Sequence, residues 1–167
     1  MASRSENSVL INQPAEKVHA ALTNADYWAF IAEKLSPEPG EVNSFEATEG
    51  GAVVTLFEVL PLDILPEAVR AMISQALKVK RTVTVGPLAD NAAHITYTAD
   101  VKGTPVDFSG EIALSGTETT TTLAYNNEVI VNIPFMGPAI EPKVGAALGD
   151  LFNNEGQLTA EWIAQNI

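Results

Sequence analysis

The residue whose chemistry is hardest to explain away is Glu155. At 100° per residue, Ile140, Val144, Ala147, Leu148, Leu151, Leu158 and Trp162 fall in one helical stripe roughly 100° wide, the width of a helix face lying on a core. Glu155 falls inside it. A carboxylate among leucines and a tryptophan is costly unless paired, hydrogen-bonded or hydrated. Arg81 is its natural partner, because it shares strand parity with Val79, Val83 and Val85 and so faces the same interior. Two opposite charges facing one interior are expected to meet, and the arginine fork can hold a carboxylate through two hydrogen bonds. By the same parity Tyr97, Tyr125 and Asn127 point inward, giving a short set of polar groups among apolar neighbours that include Phe108 and Leu151. An apolar cavity with a few convergent polar groups is the usual form of a small-molecule site. Histidine offers less. His19 lies on a helix beside Val18 and Leu22, His94 lies on the outer face of a strand, and neither has a second ligand at metal spacing, so no metal is expected. No nucleophile elbow, phosphate loop or zinc-protease helix occurs, and no cofactor is implied.

The elements that must position these groups follow from periodicity. Residues 3–12 read as a first strand, and Pro14 starts a helix with Val18, Ala21 and Leu22 at helical spacing. Asn24 is a candidate N-cap for a second short helix with Tyr27, Trp28, Ile31 and Leu35 on its inner face. Six strands follow, over residues 41–48, 52–60, 78–86, 93–102, about 106–114 and about 119–133, with turns at Glu49-Gly50-Gly51, Pro87–Asn91, Gly103-Thr104-Pro105 and Ser115–Glu118. Residues 62–77, bracketed by Pro61 and Pro66, interrupt them with a short helix, either a lid over a pocket mouth or a fixed plug at one end of the core. The alternation Ile95, Tyr97, Ala99, Val101 inward against His94, Thr96, Thr98, Asp100 outward is that of an antiparallel sheet with one wet face. Seven strands with one apolar face need a cover. The stretch after Pro142, a helix of about sixteen to twenty-five residues, is the element long enough to supply it. Gly145, Gly149 and Gly156 form a stripe on it that serves either close packing or pocket volume.

Composition narrows the partners. The 167 residues fit one domain over residues 1–167, and 46% hydrophobic against 18% charged is an ordinary globular balance. A net charge of −12 repels phosphate backbones, so nucleic acid is not an expected partner. With no cysteine, disulfides, thiolate nucleophiles and Cys-type zinc sites are excluded. Val9-Leu10-Ile11 is too short for a signal-peptide core, and no run approaches the ~20 apolar residues of a membrane span. The expectation is a soluble, cytoplasmic protein without an integral membrane segment. The sequence does not specify an oligomeric state.

The order strand, two helices, six strands, long helix resembles the START-like superfamily, also called polyketide cyclase/lipid transport or SRPBCC, and within it an uncharacterised bacterial subfamily. The resemblance spans nearly the whole chain. It is carried by Pro14 with Val18-His19-Ala20-Ala21-Leu22, by Asp26-Tyr27-Trp28, by Leu65-Pro66 with Val69-Arg70, and by Glu155 with Leu158-Thr159-Ala160-Glu161-Trp162. It implies an α+β helix-grip fold: a curved seven-stranded antiparallel sheet wrapped round the C-terminal helix, with a pocket between them. In such proteins the pocket usually takes a lipid, sterol, polyketide or other hydrophobic molecule. The expected ligand-binding residues are then Arg81, Tyr97, Phe108, Tyr125, Asn127, Leu151 and Glu155, and no catalytic residue is transferred. Three functions stay open. One is binding or transport of a hydrophobic small molecule. Another is a cyclase or dehydratase with Glu155 as general acid or base. The third is a protein-interaction domain of the same fold, which a filled interior would favour.

Overall fold

The computed structural model describes residues 2–34, 40–60, 77–102, 106–131 and 137–167. Strand β1 (Ala2–Ile11) leads into helices α1 (Ala15–Leu22) and α2 (Ala25–Lys34). Strands β2 (Glu41–Thr48), β3 (Gly51–Leu60), β4 (Leu77–Val85), β5 (Ala92–Lys102), β6 (Val106–Gly116) and β7 (Thr121–Val131) follow, and helix α3 (Gly137–Asn166) ends the chain. Every neighbouring pair is antiparallel, and the sheet order is β1-β7-β6-β5-β4-β3-β2. The curved sheet and the C-terminal helix make the α+β helix-grip fold. The helix expected over residues 62–77 lies outside the described residues, apart from Leu77, which opens β4.

Local chemistry explains the boundaries. Asn24 caps α2, its side-chain oxygen accepting the Asp26 N–H at 2.8 Å. Asp90 and Asn91 both adopt positive φ, 53° and 60°, between bridged Ala89 and Ala92, the geometry of a two-residue hairpin whose twist matches the strands it joins. Helix α3 is 30 residues long and begins at Gly137, five residues before the proline expected to precede it. Pro142, the sixth residue of α3, stands past the first turn and gives up one i→i−4 backbone bond.

The core lies between the sheet's inner face and the helices. Val54, Leu56, Val83, Val85, Ile95, Ile112, Leu114, Leu123 and Val129 supply the sheet side, and Trp28, Ile31, Phe152, Trp162 and Ile163 the helical side. Helix α3 rests chiefly on β1 and β7. Gly156 makes that contact possible: a Cβ there would overlap the Val9 Cγ1 methyl, and Ile11 lies next to it. Of the two roles open to the glycine stripe, Gly156 serves close packing against Val9, and it also borders the interior space. This approach also fixes the helix's rotation. The buried face is Phe152, Glu155, Gly156, Thr159, Trp162 and Ile163, and it leaves Leu151 and Leu158 half-buried on its shoulder.

Candidate functional site

The interior beside α3 is built on three buried charges. Arg81 on β4, Glu58 on β3 and Glu155 on α3 are each 5–7% exposed. Arg81 donates from Nη1 to Glu155 Oε2 at 2.8 Å, so the pair expected from sequence does meet. Glu58 was not foreseen. Its Oε1 lies 2.8 Å from Arg81 Nε, at an angle that makes an ion pair but no hydrogen bond. Its parity with Ala52, Val54 and Leu56 is the signal that could have found it, since those residues mark the buried face of β3. Trp28 lies beside the guanidinium, with Arg81 Cζ 5.8 Å from the indole centroid, and the indole itself is held by donating to the Leu22 carbonyl at 2.8 Å.

Burial opposes the charge on Arg81, but Glu155 and Glu58 together outweigh it and hold the guanidinium above its ordinary value. Burial pushes Glu58 up from the usual carboxylate range, and the nearby Arg81 offsets this only in part. Three atoms of the cluster have no hydrogen-bond partner among the described residues: Arg81 Nε, which is ion-paired to Glu58, and Arg81 Nη2 and Glu58 Oε2. Buried polar atoms are rarely left so, because each costs about 1–3 kcal/mol.

Around the charges stands a wall of aromatic and hydroxyl groups. Tyr27 OH lies 2.7 Å from Thr159 Oγ1, which donates to the Glu155 carbonyl at 2.8 Å, tying α2 to α3 one turn from the ion pair. Phe152 stacks on Tyr125 with centroids 4.3 Å apart and meets Tyr97 edge-on at 5.5 Å. Tyr97 donates to Asn127 Oδ1. The two residues stand on either side of Gly110 in one row across the sheet, and a Cβ on Gly110 would come within 2.8 Å of the Tyr97 ring. The glycine thus lets the tyrosine reach over β6. Asn127 passes the row on to β1, donating to Asn7 Oδ1 at 2.9 Å. Burial raises Tyr27, Tyr97 and Tyr125 above the ordinary phenol range, with Glu155 adding to the shift at each, so all three stay neutral donors.

Arg81, Tyr97, Tyr125 and Glu155 line a shared interior space together with Tyr27, Trp28, Phe152 and Thr159. Phe108 and Asn127 are buried next to it, Phe108 meeting Tyr97 edge-on at 6.3 Å. Leu151 does not reach it: the helix rotation set by Gly156 puts Phe152 there instead. The space itself is small, about 20 Å³, room for one water-sized group. A larger pocket between sheet and helix was expected from the inward set and from the resemblance. Phe152 and α2, through Tyr27 and Trp28, close most of that space among the described residues. The histidines serve elsewhere: His19 Nε2 bonds the Gly86 carbonyl at 2.8 Å, and His94 lies 3.8 Å from Glu111 on the exposed face. No helix of the described residues is long and apolar enough to cross a membrane.

An antiparallel sheet gripping a C-terminal helix, with polar groups gathered between the two, is the architecture of START-like proteins, and comparison with solved structures bears this out. A START superfamily protein from Mycobacterium smegmatis aligns over 98% of this chain and 99% of its own, with TM-score 0.55 and 12% identity. The di-domain ARO/CYC StfQ from the steffimycin biosynthetic pathway aligns over 99% of this chain and 51% of its own, with TM-score 0.63 and 11% identity. At these identities the likeness is one of fold. The chain belongs to the family described as "Protein of unknown function (DUF2505)", which matches residues 6–163. "Uncharacterized protein Rv0481c" of Mycobacterium tuberculosis is 28% identical over 163 residues, 91% of each chain.

Proposed function

We propose that this protein binds a small, largely apolar molecule between the sheet and α3, with Arg81 as its polar anchor. The observation that carries the reading is Arg81 Nη2: a charged donor, buried and unpartnered among the described residues, on a guanidinium that lines the interior space. A folded protein has little reason to keep such a donor open unless something arrives to accept from it. The aromatic lining of Tyr27, Trp28, Tyr97, Tyr125 and Phe152 supplies the apolar walls such sites use. A guest larger than water needs those walls to part, and Phe152 is the side chain in the way. Binding then selects an opened form of the interior.

Native mass spectrometry of the protein purified from its own host, followed by displacement of an environment-sensitive dye by alcohols, ketones and sterols, tests this. Expected are a co-purifying mass or saturable displacement, lost in Arg81→Met where that variant folds. An empty protein that binds no dye and gains no melting temperature from any compound would sink the reading. It would support the interaction domain.

Glu58 gives the enzymatic reading a footing it lacked in the sequence. Acid–base work needs a second titratable group near Glu155, and Glu58 is one, raised by burial and set against the same arginine. Such an enzyme would exchange the α-protons of a bound ketone. Deuterium incorporation from heavy water, followed by NMR and abolished in Glu58→Gln, would establish it. Exchange no faster than in buffer would leave binding alone.

A further inference from the structure

The charge count of the interior restricts what can be bound there. The described residues bury one cation, Arg81, against two carboxyl groups, Glu58 and Glu155. The guanidinium is already engaged on two sides, by Glu155 at Nη1 and by Glu58 at Nε, each at 2.8 Å. Its remaining donor, Nη2, needs an acceptor, but the cluster has no positive charge left to neutralise another anion. A carboxylate guest would be the third carboxyl group around one guanidinium, and each uncompensated charge at such depth is strongly disfavoured. A neutral oxygen meets the demand without adding charge.

Resting on the binding function proposed above, we infer that the guest is an apolar molecule presenting a neutral hydroxyl or carbonyl oxygen to Arg81 Nη2, and that the protein discriminates against the corresponding carboxylic acid. A hydroxyl and a carbonyl oxygen meet this demand alike, each accepting from Nη2 without bringing charge. An amine fits worse, because it brings a second cation to the arginine and leaves Nη2 without an acceptor. The space of about 20 Å³ beside Arg81 takes a group of the size of one oxygen, so the head fits the closed interior and only the apolar body requires the walls to move.

The test uses four probes that share one ring system: 2-naphthol, 2-acetylnaphthalene, 2-naphthoic acid and 2-naphthylmethylamine. Affinities are measured at pH 7 by calorimetry on the wild-type protein. The naphthol and the ketone should bind at least about tenfold more tightly than the naphthoate, a ratio equivalent to one modest charge penalty. In Glu58→Gln, which removes one carboxyl group at nearly constant shape, the handicap of the naphthoate should shrink severalfold. Naphthoate binding as well as naphthol, or the amine binding tightest, would overturn the charge argument and leave the binding function standing. If none of the four binds, both fall.

Discussion

Removing the guanidinium of Arg81 should cost far more at neutral pH than at mildly acid pH, and the structure says why. Arg81→Met keeps the stem and much of the packing but leaves Glu58 and Glu155, both at most 7% exposed, without a counter-charge. Each carboxyl then either stays charged in a poor solvent or takes a proton. Holding a carboxyl of ordinary pKa neutral at pH 7 costs about 1.36 kcal/mol for each of roughly 2.7 pH units, or about 3.7 kcal/mol. That figure caps the penalty for each group, so the pair cannot cost more than about 7 kcal/mol. Glu58 is already raised in the wild type, so part of its share is spent there. A loss of about 3–5 kcal/mol is expected, a large fraction of the stability of an ordinary domain. Near pH 4.5 a carboxyl of ordinary pKa is held neutral at little expense, and the loss should fall to about 1 kcal/mol. Glu155→Gln is the milder change, about 1–2 kcal/mol, because the amide oxygen still accepts from Nη1 and Glu58 still balances the arginine. The double variant should be more stable than Arg81→Met by about 2 kcal/mol or more. Urea denaturation of the four proteins at pH 4.5 and 7 measures all of this. An Arg81→Met loss that is equal at the two pH values, or strictly additive effects of the two changes, would refute the electrostatic account.

Three further expectations follow from other parts of the site. Phe152→Ala should destabilise by about 3–5 kcal/mol and leave a cavity between Tyr97 and Tyr125; benzene should raise its melting temperature and not that of the wild type, and no such difference would mean that Phe152 does not fill the interior. Gly156→Ala should destabilise despite the better helix propensity of alanine, because its Cβ meets Val9, and Val9→Ala should restore part of the loss; a more stable Gly156→Ala would show that the helix is free to lift. Because the folded state binds the Glu58 proton more tightly than the unfolded chain, the stability it contributes is fully present below its ordinary value of 4.5 and is lost as pH rises through the folded value. Wild-type stability should therefore slope downward above pH 4.5 more steeply than that of Glu58→Gln, and identical profiles would remove Glu58 from the titrating groups.

Period and parity carried a large share of this protein. The alternation along β4 to β7 specifies which side chains face inward, so Arg81, Tyr97, Phe108, Tyr125 and Asn127 were legible before any coordinates, as was the need for a partner to Glu155. Such patterns are local: a strand's two faces and a helix's stripe are properties of a few consecutive residues. What stayed hidden depends on how distant elements meet. Glu58 has the right parity, but only the pairing of β3 with β4 puts it against Arg81 and turns an ion pair into a cluster with one carboxyl to spare. Periodicity put Leu151 in the apolar stripe and left out its neighbour Phe152, 100° away; the contact of Gly156 with Val9, across nearly the full length of the chain, turns the helix so that Phe152 lines the interior instead. The same rotation, with α2 closing over the other side, sets the free volume. Volume is a difference between large packed quantities, and it exists only once every neighbour is in place.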